Sequence, residues 1–199
     1  MLTRFRKQIN LYIDRIAYIF LKVNIKPNTI TLLGLVISVT SVPLAYFNYL
    51  IPLLFIIVLS AFMDVLDGAV ARLSANVTPF GGVLDSFCDR IEELFYIMSL
   101  IIIGLPVHLG LISLALSYLT SYVRALGELR GLKMEGIGIA ERAERILLIL
   151  TSILLAIILQ GHELFVLGLT IPIIILILLS FVTVLQRIYY IYRSLNQKH

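Results

Sequence analysis

The stretch Met63-Asp64-Val65-Leu66-Asp67-Gly68-Ala69-Val70-Ala71-Arg72, followed by Gly81-Gly82-Val83-Leu84-Asp85-Ser86-Phe87-Cys88-Asp89, sets four aspartates among apolar residues. The surroundings give this its meaning. Of 199 residues, 60% are apolar and 14% charged, and the mean hydropathy is +1.01. A soluble domain carries roughly a quarter charged residues, so this chain has too few polar side chains to cover a water-facing surface. The apolar content excludes disorder, and a single cysteine, Cys88, excludes a disulfide framework. An all-α integral membrane protein is predicted, long enough for six spans at ~20 residues each.

Outward from the aspartates, uncharged runs locate those spans. Thr29 to Met63 holds no formal charge and is broken near Asn48, Tyr49 and Pro52, which predicts helices over 29–48 and 51–74. Leu94 to Val123 is broken at Gly104, Pro106 and Gly110, which predicts 81–104 and 109–131. Ile146 to Gln186 carries only Glu163, beside Gly161 and His162, which predicts 141–160 and 164–192. Over residues 1–25 the apolar positions Leu2, Phe5, Ile9, Tyr12, Ile13, Ile16, Phe20 and Leu21 recur at helical spacing between charges. They predict an amphipathic helix lying on the membrane surface. A single domain is expected over 1–199, with the six-helix transmembrane unit occupying 26–199.

All 16 basic residues fall on one side of this arrangement, and the breaks near 48–52, 104–110 and 160–164 contain none. By the positive-inside rule that side is cytoplasmic, which places both termini and the aspartates on the cytoplasmic side of a cell membrane. The net charge of +4 is therefore a topology signal that meets lipid head groups, and nucleic-acid binding is not expected.

Asp64 and Asp67 are three residues apart and share a helix face, and Asp85 and Asp89, four apart, share another. A short connection makes these two helices antiparallel, so the four carboxylates converge. Charges inside a span cost several kcal/mol each unless they are paired or ligate a cation. One or two divalent cations with oxygen ligands, Mg2+ or Mn2+, are the expected compensation. Asp64 lies ~20 Å from the outer end of its helix at 1.5 Å per residue. That depth is below the inner interface but off the midplane, where a transporter more often binds its ion. Gly68, Ala71 and Gly81 open room beside the aspartates, with helix packing as the alternative reading. Arg72 offers a planar donor fork suited to phosphate. Cys88 is read as a packing residue.

Together the residues spell Asp64-x2-Asp67-Gly68-x2-Ala71-Arg72-x8-Gly81-x3-Asp85-x3-Asp89. This pattern resembles the signature of the CDP-alcohol phosphatidyltransferase family at every fixed position, and the surface helix and six spans extend the likeness over the whole chain. The resemblance implies a two-metal centre liganded by Asp64, Asp67, Asp85 and Asp89, with Asp89 also the general base. It implies cytidine and pyrophosphate contacts from Gly68, Ala71 and Arg72, helped by Thr78 and Gly81, and further nucleotide contacts from Asn28 and Thr31. Asp64 also faces the CDP-lipid in this reading. A homodimer is implied as well. The reaction expected is direct attack of an acceptor hydroxyl on a CDP-lipid, releasing CMP.

Arg124, Arg142, Arg145 and Arg187 lie at helix ends that return to the Asp89 side, where they would bind a phosphate on the acceptor. The alternative is that they are topology signals, Arg142 and Arg145 pairing with Glu141 and Glu144. The segments Ser121–Arg124 and Ile139–Arg145 resemble the phosphatidylinositol-phosphate and archaetidylinositol-phosphate synthases. That branch implies myo-inositol 1-phosphate as acceptor and CDP-diacylglycerol or CDP-archaeol as donor, with glycerol 3-phosphate the rival acceptor. One departure is Leu126, where a basic residue is expected. A transporter would need charges through both membrane halves, and the outer half offers only Glu163 and His162.

Overall fold

The computed structural model describes residues 2–75 and 77–196, with side chains from residue 12 onward. The side chains of Leu2, Phe5 and Ile9, on which the surface-helix expectation partly rests, lie outside the described residues, as does Lys198. The regular elements of the described residues are all helices: α1 (Leu2–Lys22), α2 (Pro27–Val39), α3 (Ser41–Tyr46), α4 (Leu50–Leu73), α5 (Pro79–Ile103), α6 (Val107–Leu129), α7 (Arg142–Ile158) and α8 (Phe165–Asn196).

Local chemistry sets the boundaries. Pro27 opens α2 and Pro79 opens α5, where a missing N–H costs nothing. The Thr78 hydroxyl caps α5 by accepting from Gly81 N at 3.0 Å. Gly104, at φ +124°, ends α5 in a conformation that side-chain-bearing residues avoid. The expected continuous helix over 29–48 is instead two, separated at Thr40. Pro43 supplies no N–H to Val39, three residues into what would have been the next turn.

Four segments are long and apolar enough to cross a membrane: Pro27–Tyr46, Leu50–Leu73, Val107–Leu129 and Phe165–Asn196. The helices expected over 81–104 and 141–160 form, as α5 and α7, but fall short of that standard. α5 carries Asp85, Asp89, Arg90, Glu92 and Glu93 within its first 15 of 25 residues, and α7 is 17 residues long. At 1.5 Å per residue that is ~25 Å. With so many apolar helices and exposed large side chains such as Phe55, Leu111, Ile171 and Leu178, this is a membrane protein.

The apolar core fills the end of the bundle remote from the aspartates. Leu53 and Ile57 of α4 meet Tyr96 and Leu100 of α5, Ile149 and Ile153 of α7, and Leu169 and Ile173 of α8. A second cluster sets Ile13 and Ala17 of α1 with Ile30 of α2 and with Leu66, Ala69 and Val70 of α4, so α1 braces the helix that carries Asp64 and Asp67. Close approach of α2 and α4 depends on Gly34. Its carbonyl accepts from Ser60 Oγ at 2.8 Å, and a Cβ there would lie 3.2 Å from Met63 Cβ of α4.

Candidate active site

Antiparallel α4 and α5 bring three carboxylates together. Asp64, Asp67 and Asp85 each offer an oxygen lying within 4.8 Å of the others. Hard oxygen donors in this number fit a divalent cation such as Mg2+ or Mn2+. Asp67, 5% exposed, accepts a hydrogen bond from Thr31 Oγ1, which fixes the carboxylate against α2.

Asp89 lies beside this triad, next to Asp64. It sits one turn beyond Asp85, ~6 Å further along the helix axis. Its Oδ2 pairs with Arg90 Nη1 at 2.9 Å and its Oδ1 with Arg142 Nη1 at 2.6 Å. Arg142 Nη1 also contacts Asp64, so a guanidinium bridges Asp64 and Asp89.

Two cavities flank the carboxylates. The smaller, about 220 Å³, gathers Asn28, Thr31, Asp67, Gly68, Ala71, Arg72, Thr78, Gly81 and Asp85 from α2, α4 and the start of α5. Asn28, Thr31, Gly68, Ala71, Arg72, Thr78 and Gly81 are residues expected at the nucleotide, Asp67 and Asp85 are expected metal ligands, and Asp64 is not in this lining. Gly81 is there for space, since a Cβ would lie 3.0 Å from Thr78 Oγ1 and 3.2 Å from Asn28 Oδ1. The larger cavity, about 550 Å³, is walled by Asp85, Asp89, Arg124, Arg142, Arg145 and Arg187, with Tyr118, Glu128 and Glu141 among the other residues. Asp85 lines both cavities.

The four arginines line one cavity, and the alternative pairing of Arg142 and Arg145 with Glu141 and Glu144 does not form. Arg142 Nη2 pairs with Glu92 Oε2 at 2.8 Å, and Arg145 Nε pairs with Glu93 Oε1 at 2.8 Å. Arg124 pairs with Glu128 one turn away at 2.8 Å. Arg187, 2% exposed, donates to the Ile137 and Thr120 carbonyls at 2.8 and 2.6 Å. Among the described residues it is the cavity guanidinium of α8 with no carboxylate partner, which leaves its charge available to an anion. Glu92 and Glu93 escaped the sequence reading, although a signal existed: at seven and eight positions past Asp85 they extend the same helix face. Cys88 is buried, as a packing residue should be.

A sequence model described as CDP-alcohol phosphatidyltransferase matches residues 24–185. The chain is 33% identical over 190 residues to archaetidylinositol phosphate synthase of Pyrococcus horikoshii, covering 95% of both chains. It is 36% identical over 197 residues to the synthase of that name from Methanothermobacter thermautotrophicus, covering 98% of this chain and 96% of the other. Among solved structures it resembles Mycobacterium tuberculosis phosphatidylinositol phosphate synthase with CDP-DAG bound, at TM-score 0.78 and 29% identity over 90% of this chain and 93% of that one. The same enzyme in complex with manganese and citrate gives TM-score 0.78 and 30% identity, over 90% and 88%. The match runs through nearly all the helices and through the aspartates at their crossing, so this chain belongs to the CDP-alcohol phosphatidyltransferase family and is a transferase of phospholipid biosynthesis.

Proposed function

We propose that the enzyme transfers a phosphatidyl or archaetidyl group from CDP-diacylglycerol or CDP-archaeol to myo-inositol 1-phosphate, releasing CMP. One observation carries this reading: Asp85 is the shared wall between a nucleotide-sized cavity and a larger one lined by arginines from four helices. An acceptor that itself bears a phosphate is what such a lining favours. The names of the archaeal relatives support inositol phosphate as acceptor and archaeol as lipid.

In this reading Asn28, Thr31, Gly68, Ala71, Arg72, Thr78 and Gly81 seat the CDP moiety, with Asp64 facing the pyrophosphate. Arg124, Arg142, Arg145 and Arg187 hold the acceptor phosphate. Asp64, Asp67, Asp85 and Asp89 hold two Mg2+ ions, replaceable by Mn2+; when bound, these supply positive charge against the pyrophosphate and the departing CMP. Asp89 accepts the proton of the acceptor hydroxyl. That oxygen attacks the lipid-linked phosphorus, the bond to CMP breaks, and a phosphodiester forms. The chain spans the membrane six times as a homodimer. α1 lies on the cytoplasmic surface, and both termini and the site are cytoplasmic.

Purified enzyme supplied with CDP-archaeol and Mg2+ tests this. CMP release is expected only with an acceptor, with myo-inositol 1-phosphate outcompeting glycerol 3-phosphate, and is expected to stop in excess EDTA. Preference for free inositol would overturn the phosphate-acceptor reading, and turnover in EDTA would overturn the metal site.

A further inference from the structure

Arg142 belongs to two sites at once. Its Nη1 contacts Asp64 and lies 2.6 Å from Asp89 Oδ1. Its side chain, 20% exposed, also lines the large cavity. Its Nη2 rests on Glu92 Oε2 at 2.8 Å. Glu92 is itself fixed: it is 2% exposed and takes a further bond from the Tyr96 hydroxyl at 3.4 Å. Nη2 is thus anchored at a buried post, while Nη1 spans the gap between the carboxylates and the cavity wall.

Asp64 cannot serve two cations equally. It is one of the three carboxylates that converge, and it is also the contact of Arg142 Nη1. A divalent cation drawn to Asp64 competes with the guanidinium for the same oxygens, and two positive charges this close repel. The space open to the displaced Nη1 is the cavity beside it. An anion there would welcome a second donor fork next to Arg145 and Arg187.

We infer that Arg142 is an interlock between cation loading and anion binding, a deduction that rests on the function proposed above. Without a cation, Arg142 neutralises Asp64 and occupies Asp89. Cation binding at the aspartates displaces Nη1, which pivots about Glu92 into the cavity and engages the acceptor phosphate. Oδ1 of Asp89, the oxygen Arg142 held, then becomes free to take a proton only when cation and acceptor are both in place, while Oδ2 stays on Arg90. Because binding free energies are linked, cation and anion must tighten each other by one common factor.

Mn2+ binding followed by electron paramagnetic resonance on the purified full chain in nanodiscs, with and without inorganic phosphate, tests this without turnover. In the parent enzyme phosphate is expected to tighten Mn2+ about tenfold, a usual size for coupled sites. Arg142→Gln is expected to bind Mn2+ more tightly than the parent when phosphate is absent, because the competitor is gone. The phosphate effect is then expected to shrink to about twofold or less, the residue of direct attraction between the ligands. Arg142→Lys keeps the charge but cannot bridge Asp64 and Glu92 together, and is expected to fall between the two. Equal or weaker Mn2+ binding in Arg142→Gln, or a phosphate effect of full size, overturns the interlock. Should Arg142→Gln fail to fold, the same comparison in Arg142→Lys decides. Asp67→Asn separates the two levels of the argument. If it abolishes Mn2+ binding while the Arg142 variants change nothing, only the interlock falls. A parent enzyme that binds no Mn2+ refutes the metal site and the interlock together.

Discussion

Arg145 and Glu93 clasp each other through two bonds, Nε to Oε1 at 2.8 Å and Nη2 to Oε2 at 3.2 Å, across 52 residues of sequence. Both side chains are nearly free of solvent. Arg145 Nη1 reaches on to Thr120 Oγ1 at 3.2 Å and the Ala140 carbonyl at 3.4 Å, and Arg187 takes the Thr120 carbonyl from the other side. One buried pair thereby joins α5, α6 and α7, with α8 attached through Thr120, and Arg145 forms part of the wall of the larger cavity.

Removing one half of that pair should be costly. Arg145→Ala strands a buried carboxylate, and losing one partner of such a pair destabilises by about 3–5 kcal/mol. A clear drop in the thermal midpoint of the purified protein is expected. The double variant Glu93→Gln with Arg145→Met removes both charges and is expected to lose less than Arg145→Ala alone. A melting curve for Arg145→Ala that overlays the parent would show the clasp to be dispensable.

Asp89 is expected to matter for turnover and little for donor binding. Asp89→Asn removes the proton acceptor while the residues of the smaller cavity remain in place. General-base removal typically costs about 10²–10⁴ in rate. CDP-lipid affinity measured directly should stay near that of the parent while kcat collapses; a kcat within a few-fold of the parent would exclude the role of base.

The Gly81 position links helix capping to nucleotide space. In Gly81→Ala the new methyl crowds Thr78 Oγ1 at 3.0 Å and Asn28 Oδ1 at 3.2 Å. A rise in KM for the CDP-lipid is expected, with the acceptor KM little changed. Thr78→Ala instead removes the α5 cap, worth about 1 kcal/mol, and should lower the melting midpoint as well as donor affinity. An unchanged donor KM in both variants would detach the smaller cavity from the nucleotide.

Helix placement was largely legible because its causes are local. The expected 51–74 and 109–131 lie close to α4 and α6, since uncharged runs and Gly or Pro breaks act within a few residues. The interruption at Thr40 was missed: Pro43 lies inside the uncharged run that predicts one helix over 29–48. The convergence of Asp64, Asp67 and Asp85 followed from helical spacing and one short connection. The guanidinium that Asp64 and Asp89 share was not legible, because it arrives from α7.

Sequence alone determined the membrane setting, the helices, and the meeting of the aspartates with the small residues beside them, because hydropathy and a 3.6-residue period are properties of neighbours along the chain. Tertiary structure alone decided that Arg142 spans Asp64, Asp89 and Glu92, that Arg145 takes Glu93, and that Arg187 is left with carbonyls. Several carboxylates compete for each guanidinium, and only the packing of α5 against α7, fifty residues apart, determines which lies within reach in a setting dry enough for the pairing to be strong.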